Sequence, residues 1–385
     1  MTRPTKKYLI IGSPLTTVGG IIAGLRSWLS NVPKDASVEV LYGSGCDEAA
    51  LFAHAAGAPR TRLTRSSLTS RFARVLVLPP ALLALVRILR TRPSVVLSFF
   101  PWTMLASGLA TRVARWCGVN VRHVIYLAGN PLPPVQARWQ QRFYKRLFSV
   151  TLHMCEDIVV LSDRLARLLA AEYQIPSRVH VRVVPISISI SSEAKHSSAE
   201  EGGRRRATFG MVTRLSREKG CEVAICAFSS ISGMLSDNLL IYGAGPEEDH
   251  LRELTHKLGV SDRVDFAGWT DSLDSAYREI DCILVPSFTE GTPRTILEAA
   301  AVGVPCIASA VGGIPDLIVN GRTGWLVEPG DVAGLEDIMA KLVENREAIS
   351  VAGLAARKAM AARPSPADEF MAIFSCEPLF SKECG

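Results

Sequence analysis

Along the chain, short apolar runs alternate with longer stretches of helical periodicity, the pattern produced by strand–helix units of a parallel sheet. The first series predicts strands at Tyr8–Ile11, Ser37–Leu41, Ser94–Phe99, Val121–Leu127, Asp157–Leu161 and His180–Val184. Amphipathic helices are expected at Gly20–Leu29, Met104–Cys117 and Arg164–Tyr173. From Ser187 to Arg206 periodicity gives way to Ser, Glu, Lys and Gly, which reads as an exposed linker. A second series follows, with strands at Thr208–Val212, Leu239–Tyr242, Arg263–Phe266, Cys282–Val285, Val304–Ala308 and Gly324–Val327. Its helices start near Lys219, Glu247, Asp271, Thr292 and Asp331. The pattern implies an α/β chain of two doubly wound, Rossmann-like parallel-sheet lobes, residues 1–186 and 207–364, joined by a linker over 187–206. The tail, 365–385, is long enough to fold back on the first lobe. A ligand is expected in the cleft where the carboxyl ends of the two sheets face each other.

Composition removes some classes. With 48% hydrophobic and 21% charged residues the chain is ordered and globular. Nine scattered cysteines, odd in number and without a Cys-x-x-Cys pair, argue for a reducing, cytoplasmic setting with neither a disulfide framework nor structural zinc. The basic start before Tyr8–Gly12 is followed by too short an apolar run for a signal peptide and fits a first buried strand better.

Charge is divided unevenly. Residues 1–190 carry 24 basic and 8 acidic side chains, whereas the remainder carries 19 basic and 29 acidic. No acidic residue occurs from Ala49 to Cys155, a stretch holding fifteen Lys and Arg. A field of one sign attracts anionic surfaces, and here an anionic membrane is preferred over nucleic acid. Within this stretch, Arg74–Arg92 contains Val75–Val86, interrupted by Pro79 and Pro80 and too short to span a bilayer. It suits an interfacial amphipathic segment or a buried helix with a solvated arginine face, and the surrounding absence of acid favours membrane contact.

The densest chemistry lies in Pro286-Ser-Phe-Thr-Glu-Gly-Thr-Pro-Arg-Thr-Ile-Leu-Glu298. A buried strand would end at Val285, with Thr292 capping a helix whose first position is Pro293. The free amides of Arg294 and Thr295 would then point at an anion. Glu290 and Glu298 would flank the same bound molecule, accepting hydrogen bonds from hydroxyls. A lone pair of glutamates is ordinarily just solvated, but Glu298 sits in Thr295-Ile-Leu-Glu-Ala-Ala-Ala-Val302, where an unpartnered charge is costly. A second anion-seeking loop is Val212-Thr-Arg-Leu-Ser-Arg-Glu-Lys-Gly220. Lys219 at a helix start opposes the helix dipole, Arg214 reaches the same anion, and Gly220 permits close backbone approach to a ligand. Weaker elements are Gly243-Ala-Gly245-Pro246, whose glycines keep a cleft wall flat, and the loop Gly12–Gly20, in which Gly19 and Gly20 open a helix.

Taken together, Arg214–Gly220, Gly243–Pro246, Val264–Gly268, the Glu290/Glu298 element and Gly303-Val-Pro305 resemble the nucleotide-sugar domain of the family-four retaining glycosyltransferases, over most of residues 208–327. That family has the GT-B fold. The resemblance implies that Arg214 and Lys219 hold the donor diphosphate, Glu290 the transferred sugar, and Glu298 the ribose. Gly268 and Trp269 would lie near the base, and Gly19, Gly20, Gly243, Gly245, Gly291, Thr292, Pro293, Arg294 and Thr295 would line the donor site. It further implies a UDP- or GDP-sugar co-substrate and no cofactor; the lack of an Asp-x-Asp and of a His/carboxylate cluster argues against a metal, and the basic first lobe points to a lipid-linked or growing glycan acceptor at the cytosolic face of a membrane.

Three departures stand out: Thr213 replaces a common Gly, Val184–Ile190 lacks an Asn-Gly-x-Asp, and no His follows the strand at Val121–Leu127. His123 inside that strand reads as a core residue, leaving Asn130 as an acceptor-side candidate. A sugar-nucleotide epimerase on a similar scaffold and a basic nucleic-acid-binding protein are the competing readings. An NAD-linked oxidoreductase fails at the third Gly of Gly243-Ala-Gly-Pro-Glu-Glu248.

Overall fold

The computed structural model describes residues 6–11, 25, 28–43, 61–66, 78–99, 101–129, 138–188, 207–231, 238–270 and 273–374. The chain divides into two compact units, residues 1–187 with 364–385, and residues 188–363. The expected linker after Ile188, the loop Gly12–Gly20, most of the first expected helix, and the candidates Gly19, Gly20 and Asn130 lie outside the described residues.

In the first unit, strands β1 (Lys6–Ile11), β2 (Ala36–Gly43), β3 (Thr61–Ser66), β4 (Val95–Ser98), β5 (Arg122–Leu127), β6 (Asp157–Val160) and β7 (His180–Val183) form one sheet in the order β3-β2-β1-β4-β5-β6-β7. Every pairing is parallel. Strands such as β4 and β6 are buried along their whole length, because helices cover both faces. Its helices among the described residues include α1 (Leu78–Thr91), α2 (Pro101–Trp116), α3 (Arg138–Leu152) and α4 (Asp163–Glu172). Ser162 caps α4 by accepting from the Leu165 amide at 3.2 Å.

Strand β3 is absent from the sequence-derived set. Its Thr-Arg-Leu-Thr-Arg-Ser is too polar to stand out as an apolar run, and it forms the sheet edge, where a strand pairs on one side only. The prolines of Arg74–Arg92 fall in the first turn of α1, where a missing amide costs nothing. Ala81, Ala84 and Ile88 of α1 are buried, and Arg87 pairs with Glu39 at 3.4 Å. The described part of this segment therefore behaves as the buried helix of the two readings, with Leu82 and Leu89 its exposed large apolar residues, while Arg74–Val77 lie outside the described residues.

Beyond residue 363 the chain returns to the first unit as α11 (Pro366–Phe374), numbered after α5–α10 of the second unit given below. Ser365 and Asp368 form a reciprocal cap, with the Asp368 amide bonded to Ser365 Oγ and the Ser365 amide to Asp368 Oδ2. Phe370 and Phe374 pack on Tyr8 at ring separations of 5.8 and 4.7 Å. The buried carboxylate of Glu369 accepts from both the amide and the hydroxyl of Ser187.

The second unit contains β8 (Thr208–Val212), α5 (Cys221–Ile231), β9 (Asn238–Tyr242), α6 (Glu248–Lys257), β10 (Val264–Gly268), α7 (Leu273–Glu279), β11 (Cys282–Val285), α8 (Arg294–Val302), β12 (Cys306–Ser309), β13 (Gly324–Val327), α9 (Val332–Glu344) and α10 (Arg346–Ala361). Its parallel sheet runs β10-β9-β8-β11-β12-β13. Cys282 and Leu284 face one core with Phe209, Phe228 and Met339, whereas Ile283 and Val285 face the other with Tyr277, Ile296 and Ile314. Period-two alternation thus feeds two apolar layers, which explains why these strands read as unbroken hydrophobic runs.

Among the described residues no helix is long and apolar enough to cross a membrane. Burial pushes the thiols of Cys155, Cys221 and Cys306 up to about 12, so they behave as small apolar residues.

His123 on β5 is fully buried, 2.8 Å from Ser98 Oγ and 3.1 Å from the Met154 carbonyl. Burial lowers its pKa to about 4, so the folded state holds it neutral. Because the unfolded chain binds this proton near 6.5, stability is present above that pH and is lost as pH falls toward 4. Between pH 6.5 and 5 the loss should be about 2 kcal/mol, from ~1.4 kcal/mol per pH unit. Urea unfolding of wild type and His123→Gln at these two pH values checks it: the variant should lose the His123 share of the pH dependence whatever its absolute stability.

Candidate functional site

In each unit strand order reverses at one position, between β1 and β4 in the first sheet and between β8 and β11 in the second. Helices leave opposite faces there, so the loops at the carboxyl ends of those strands open a crevice. In the second unit the two loops are Thr213–Gly220 and Pro286–Pro293, the two anion-seeking segments of the sequence.

Their side chains meet. Lys219 Nζ lies 2.6 Å from Glu290 Oε1, and Ser287, itself buried, donates to the same oxygen at 2.9 Å. Lys219 and Glu290 are 25% and 11% exposed in their side chains, so water screens the pair only partly. The loops are also joined through the backbone, with the Phe288 amide bonded to the Glu218 carbonyl at 2.9 Å. A hydrogen bond from Ser216 and the neighbouring cations Lys219 and Arg214 hold Glu218 below the usual carboxylate range. Arg214 is exposed at the end of β8.

Lys219 closes a 3₁₀ turn, Arg217–Lys219, and α5 starts only after Gly220, so the lysine does not stand in the first turn of the long helix as expected. Gly220 has φ 66°, and a Cβ there would lie 2.0 Å from the Pro286 carbonyl oxygen. Its missing side chain brings the two loops together, a different task from the expected approach to a ligand. Gly243 is similar: at φ 143°, a Cβ would lie 1.8 Å from the Thr213 oxygen. Its amide donates to the Gly268 carbonyl at 2.7 Å, and the Leu215 amide donates to Ala244 at 3.1 Å. The Gly243–Gly245 loop therefore braces the Arg214 loop, and Gly268 braces it in turn. Trp269 follows Gly268 with 57% of its surface exposed.

Helix α8 starts one residue later than expected. Pro293 is its N-cap, with φ −69° and ψ 119°, and no side chain caps the end. Thr292 is thus outside the cap, while the amides of Arg294, Thr295 and Ile296 form the first turn, where no intrahelical acceptor exists. Glu298 meets two partners, Tyr277 OH at 3.0 Å and Arg294 Nε at 3.6 Å. These meet the electrostatic demand that its apolar neighbourhood creates. The Arg294 Nε atom is buried and makes no hydrogen bond to the described residues. The Gly291 carbonyl accepts from the Gly313 amide at 2.7 Å, so the loop after β12 supports the Glu290 loop.

Sequence reasoning passed over Ser287, Tyr277 and Gly312-Gly313. The glycine doublet, directly after an apolar run and one strand from Glu290, was the available signal. Tyr277 had none, since its hydroxyl reaches Glu298 only through packing of α7 beside α8.

The class defined by these two parallel-sheet units is the GT-B α/β fold. The Anabaena protein Alr3699/HepE, solved with UDP, superposes with a TM-score of 0.76 over 96% of this chain and 99% of that one at 17% identity. Sucrose-phosphate synthase from Thermosynechococcus elongatus does so with a TM-score of 0.77 over 96% and 98% at 18% identity. In sequence, residues 34–189 match the model described as Glycosyltransferase Family 4, and residues 194–359 match Glycosyl transferases group 1. The first unit is thus similar to Glycosyltransferase Family 4 and the second to Glycosyl transferases group 1, and together the two matches make the chain a GT-B glycosyltransferase of family-four-like type. Among curated relatives, N-acetyl-alpha-D-glucosaminyl L-malate synthase of Bacillus anthracis is 35% identical over 35% of this chain and 36% of its own length. A GDP-mannose-dependent alpha-(1-6)-phosphatidylinositol monomannoside mannosyltransferase of Mycobacterium tuberculosis is 33% identical over 40% and 42%. The chain thus spans well under half the length of these two relatives.

Gly220→Ala should force apart the Lys219 and Glu290 loops and place alanine in the left-handed region. A cost of at least ~1 kcal/mol corresponds to a fall of about 2–4 °C in the melting temperature for a unit of this size. Differential scanning calorimetry of the variant measures it.

Proposed function

We propose that this chain is a retaining glycosyltransferase of the Glu-x7-Glu type, moving a hexose-type sugar from a UDP- or GDP-sugar to a membrane-associated glycolipid or polysaccharide-precursor acceptor. The observation that carries this reading is the meeting of Lys219 and Glu290 at the strand-order reversal of the second unit, beside the first turn of α8. An ammonium and free helix amides are suited to a diphosphate, and a carboxylate beside them to sugar hydroxyls. The family matches, the UDP in the Anabaena structure and the GDP-mannose dependence of the mycobacterial relative support a nucleotide-sugar donor.

In this reading, donor binding exchanges the partner of Lys219. Its ammonium leaves Glu290 for the diphosphate, where it and Arg214 neutralise the charge that grows on the departing phosphate, and no divalent ion is assigned to that task. Glu290, steadied by Ser287, then accepts from the sugar. Glu298, oriented by Tyr277, accepts from the ribose. Glu290 positions the sugar and is not assigned as a nucleophile. The acceptor is assigned to the first unit, with Asn130 as the acceptor-side candidate. In the same reading the enzyme works as a peripheral protein at the anionic cytosolic face of a membrane, which the basic excess of residues 1–190 supports.

Product analysis with UDP- and GDP-sugars, with and without lipid extract, tests the activity. Transfer to lipid is expected, whereas interconversion of the sugar without an acceptor would identify an epimerase. Lys219→Ala should cost roughly 2–4 kcal/mol of transition-state stabilisation, read as a fall in kcat/KM with the fold intact by circular dichroism.

Calorimetry separates the two glutamates. Glu298→Ala should weaken binding of the free nucleoside diphosphate. Glu290→Gln should tighten it, because Lys219 no longer has to leave a carboxylate, while turnover falls. Equal nucleotide affinity in all three proteins would refute the partner exchange.

A further inference from the structure

We infer that helix α3 (Arg138–Leu152) is the element through which the first unit lies on an anionic bilayer, with Trp139 and Phe143 entering the interface and Arg138, Arg142 and Arg146 meeting lipid phosphates. The inference rests on the membrane reading above and assigns it to a surface. Arg138, Arg142 and Arg146 recur every four residues, so they form one row along the helix, and at 100° per residue Trp139, Phe143 and Val150 form the row beside it. The opposite side, with Phe148, Thr151 and Leu152, is buried against the core that includes Tyr173. The helix is therefore anchored on one side and presents two adjacent stripes, one cationic and one apolar, on the other.

The exposure is large where globular surfaces ordinarily avoid it. Trp139 is 69% exposed, Phe143 48% and Val150 49%, within three turns of one helix. Phe143 is braced from below by Trp102 and Tyr144, at ring separations of 6.4 and 5.6 Å, which holds its ring at the surface. No acidic residue occurs in α3, and Arg138, Arg142 and Arg146 form no ion pair among the described residues. Lys145, on the flank, pairs with Glu172 at 3.6 Å.

Charge complementarity selects the occupant. A surface that is cationic along one row and aromatic along the next matches headgroup phosphates lying over acyl chains. Such a helix rests in the interface plane, and indole is the side chain most at home at that depth. Helix α1, whose sequence left the same role open, turns Ala81, Ala84 and Ile88 into the core and exposes no aromatic ring among its described side chains.

Flotation with phosphatidylglycerol-containing and pure phosphatidylcholine vesicles tests the assignment, using wild type, Arg138→Gln/Arg142→Gln/Arg146→Gln, Trp139→Ala/Phe143→Ala, and the α1 control Leu82→Gln. At about 1 kcal/mol per basic residue, the triple variant should lose partitioning into anionic vesicles on the order of a hundredfold. The aromatic variant should also fall, and the control should float as wild type does. Brominated lipids should quench a part of the fluorescence that Trp139→Phe removes. Nucleotide affinity, measured in parallel, should be unchanged in every variant and reports that they are folded. If wild type floats and the α3 variants float equally well, α3 is not the docking element although the membrane reading stands. If wild type ignores anionic vesicles, the membrane reading falls with it. Binding of a soluble acidic glycan through α3, without flotation, would assign the face to glycan and overturn the proposal.

Discussion

Parallel pairing is the constraint on which the other features rest. When every strand of a sheet points the same way, every loop that follows a strand emerges on one edge, however far apart the loops are in sequence. Lys219 and Glu290 are 71 residues apart and meet at 2.6 Å because β8 and β11 are neighbours in that sheet. The loops after β9 and β12 reach the same edge and buttress them, through Gly243 on Thr213 and Gly313 on Gly291. The second unit thus arranges four loops with few side chains, because its glycines let backbone pack on backbone.

The first unit applies the same topology under a different electrostatic regime. Its sheet buries Asp157, which is paired with Arg122 at 2.5 Å and Arg182 at 3.1 Å, and its Glu156 carboxylate accepts from the His123 amide at 2.8 Å while pairing with Arg115. Asp157 is thus spent inside the unit and Glu156 at the sheet end, where removing one partner would strand a charge. Among the described residues, Arg138, Arg142 and Arg146 of α3 are by contrast exposed.

Much of the architecture was legible in the pattern of apolar runs. In the second unit the strands Thr208–Val212, Cys282–Val285 and Gly324–Val327 have the bounds their hydrophobicity implies, because strands covered on both faces leave continuous apolar runs. Edge strand β3 left no such run and was missed. Helix α10 was missed as well, since its apolar positions are mostly small alanines. At the candidate site, residue types and loop positions were visible: a lysine ahead of Gly220, two glutamates about a helix start, and glycines at strand ends. Their partners were not, because a hydrogen bond such as Tyr277 to Glu298 spans 21 residues and depends on how two helices pack.

Periodicity and residue chemistry were enough to define two parallel α/β lobes, a division of charge, and two loops rich in groups that bind anions. Folding then decided which of those groups touch. It placed Lys219 against Glu290, moved Pro293 from the helix to its cap, gave Gly220 to a loop contact, and turned Ala84 and Ile88 of α1 inward while leaving Trp139 and Phe143 of α3 outside. The difference has a physical cause. Hydrophobic periodicity is local and survives in one dimension, whereas partner choice and the outward or inward direction of an amphipathic face depend on close packing of segments distant in sequence.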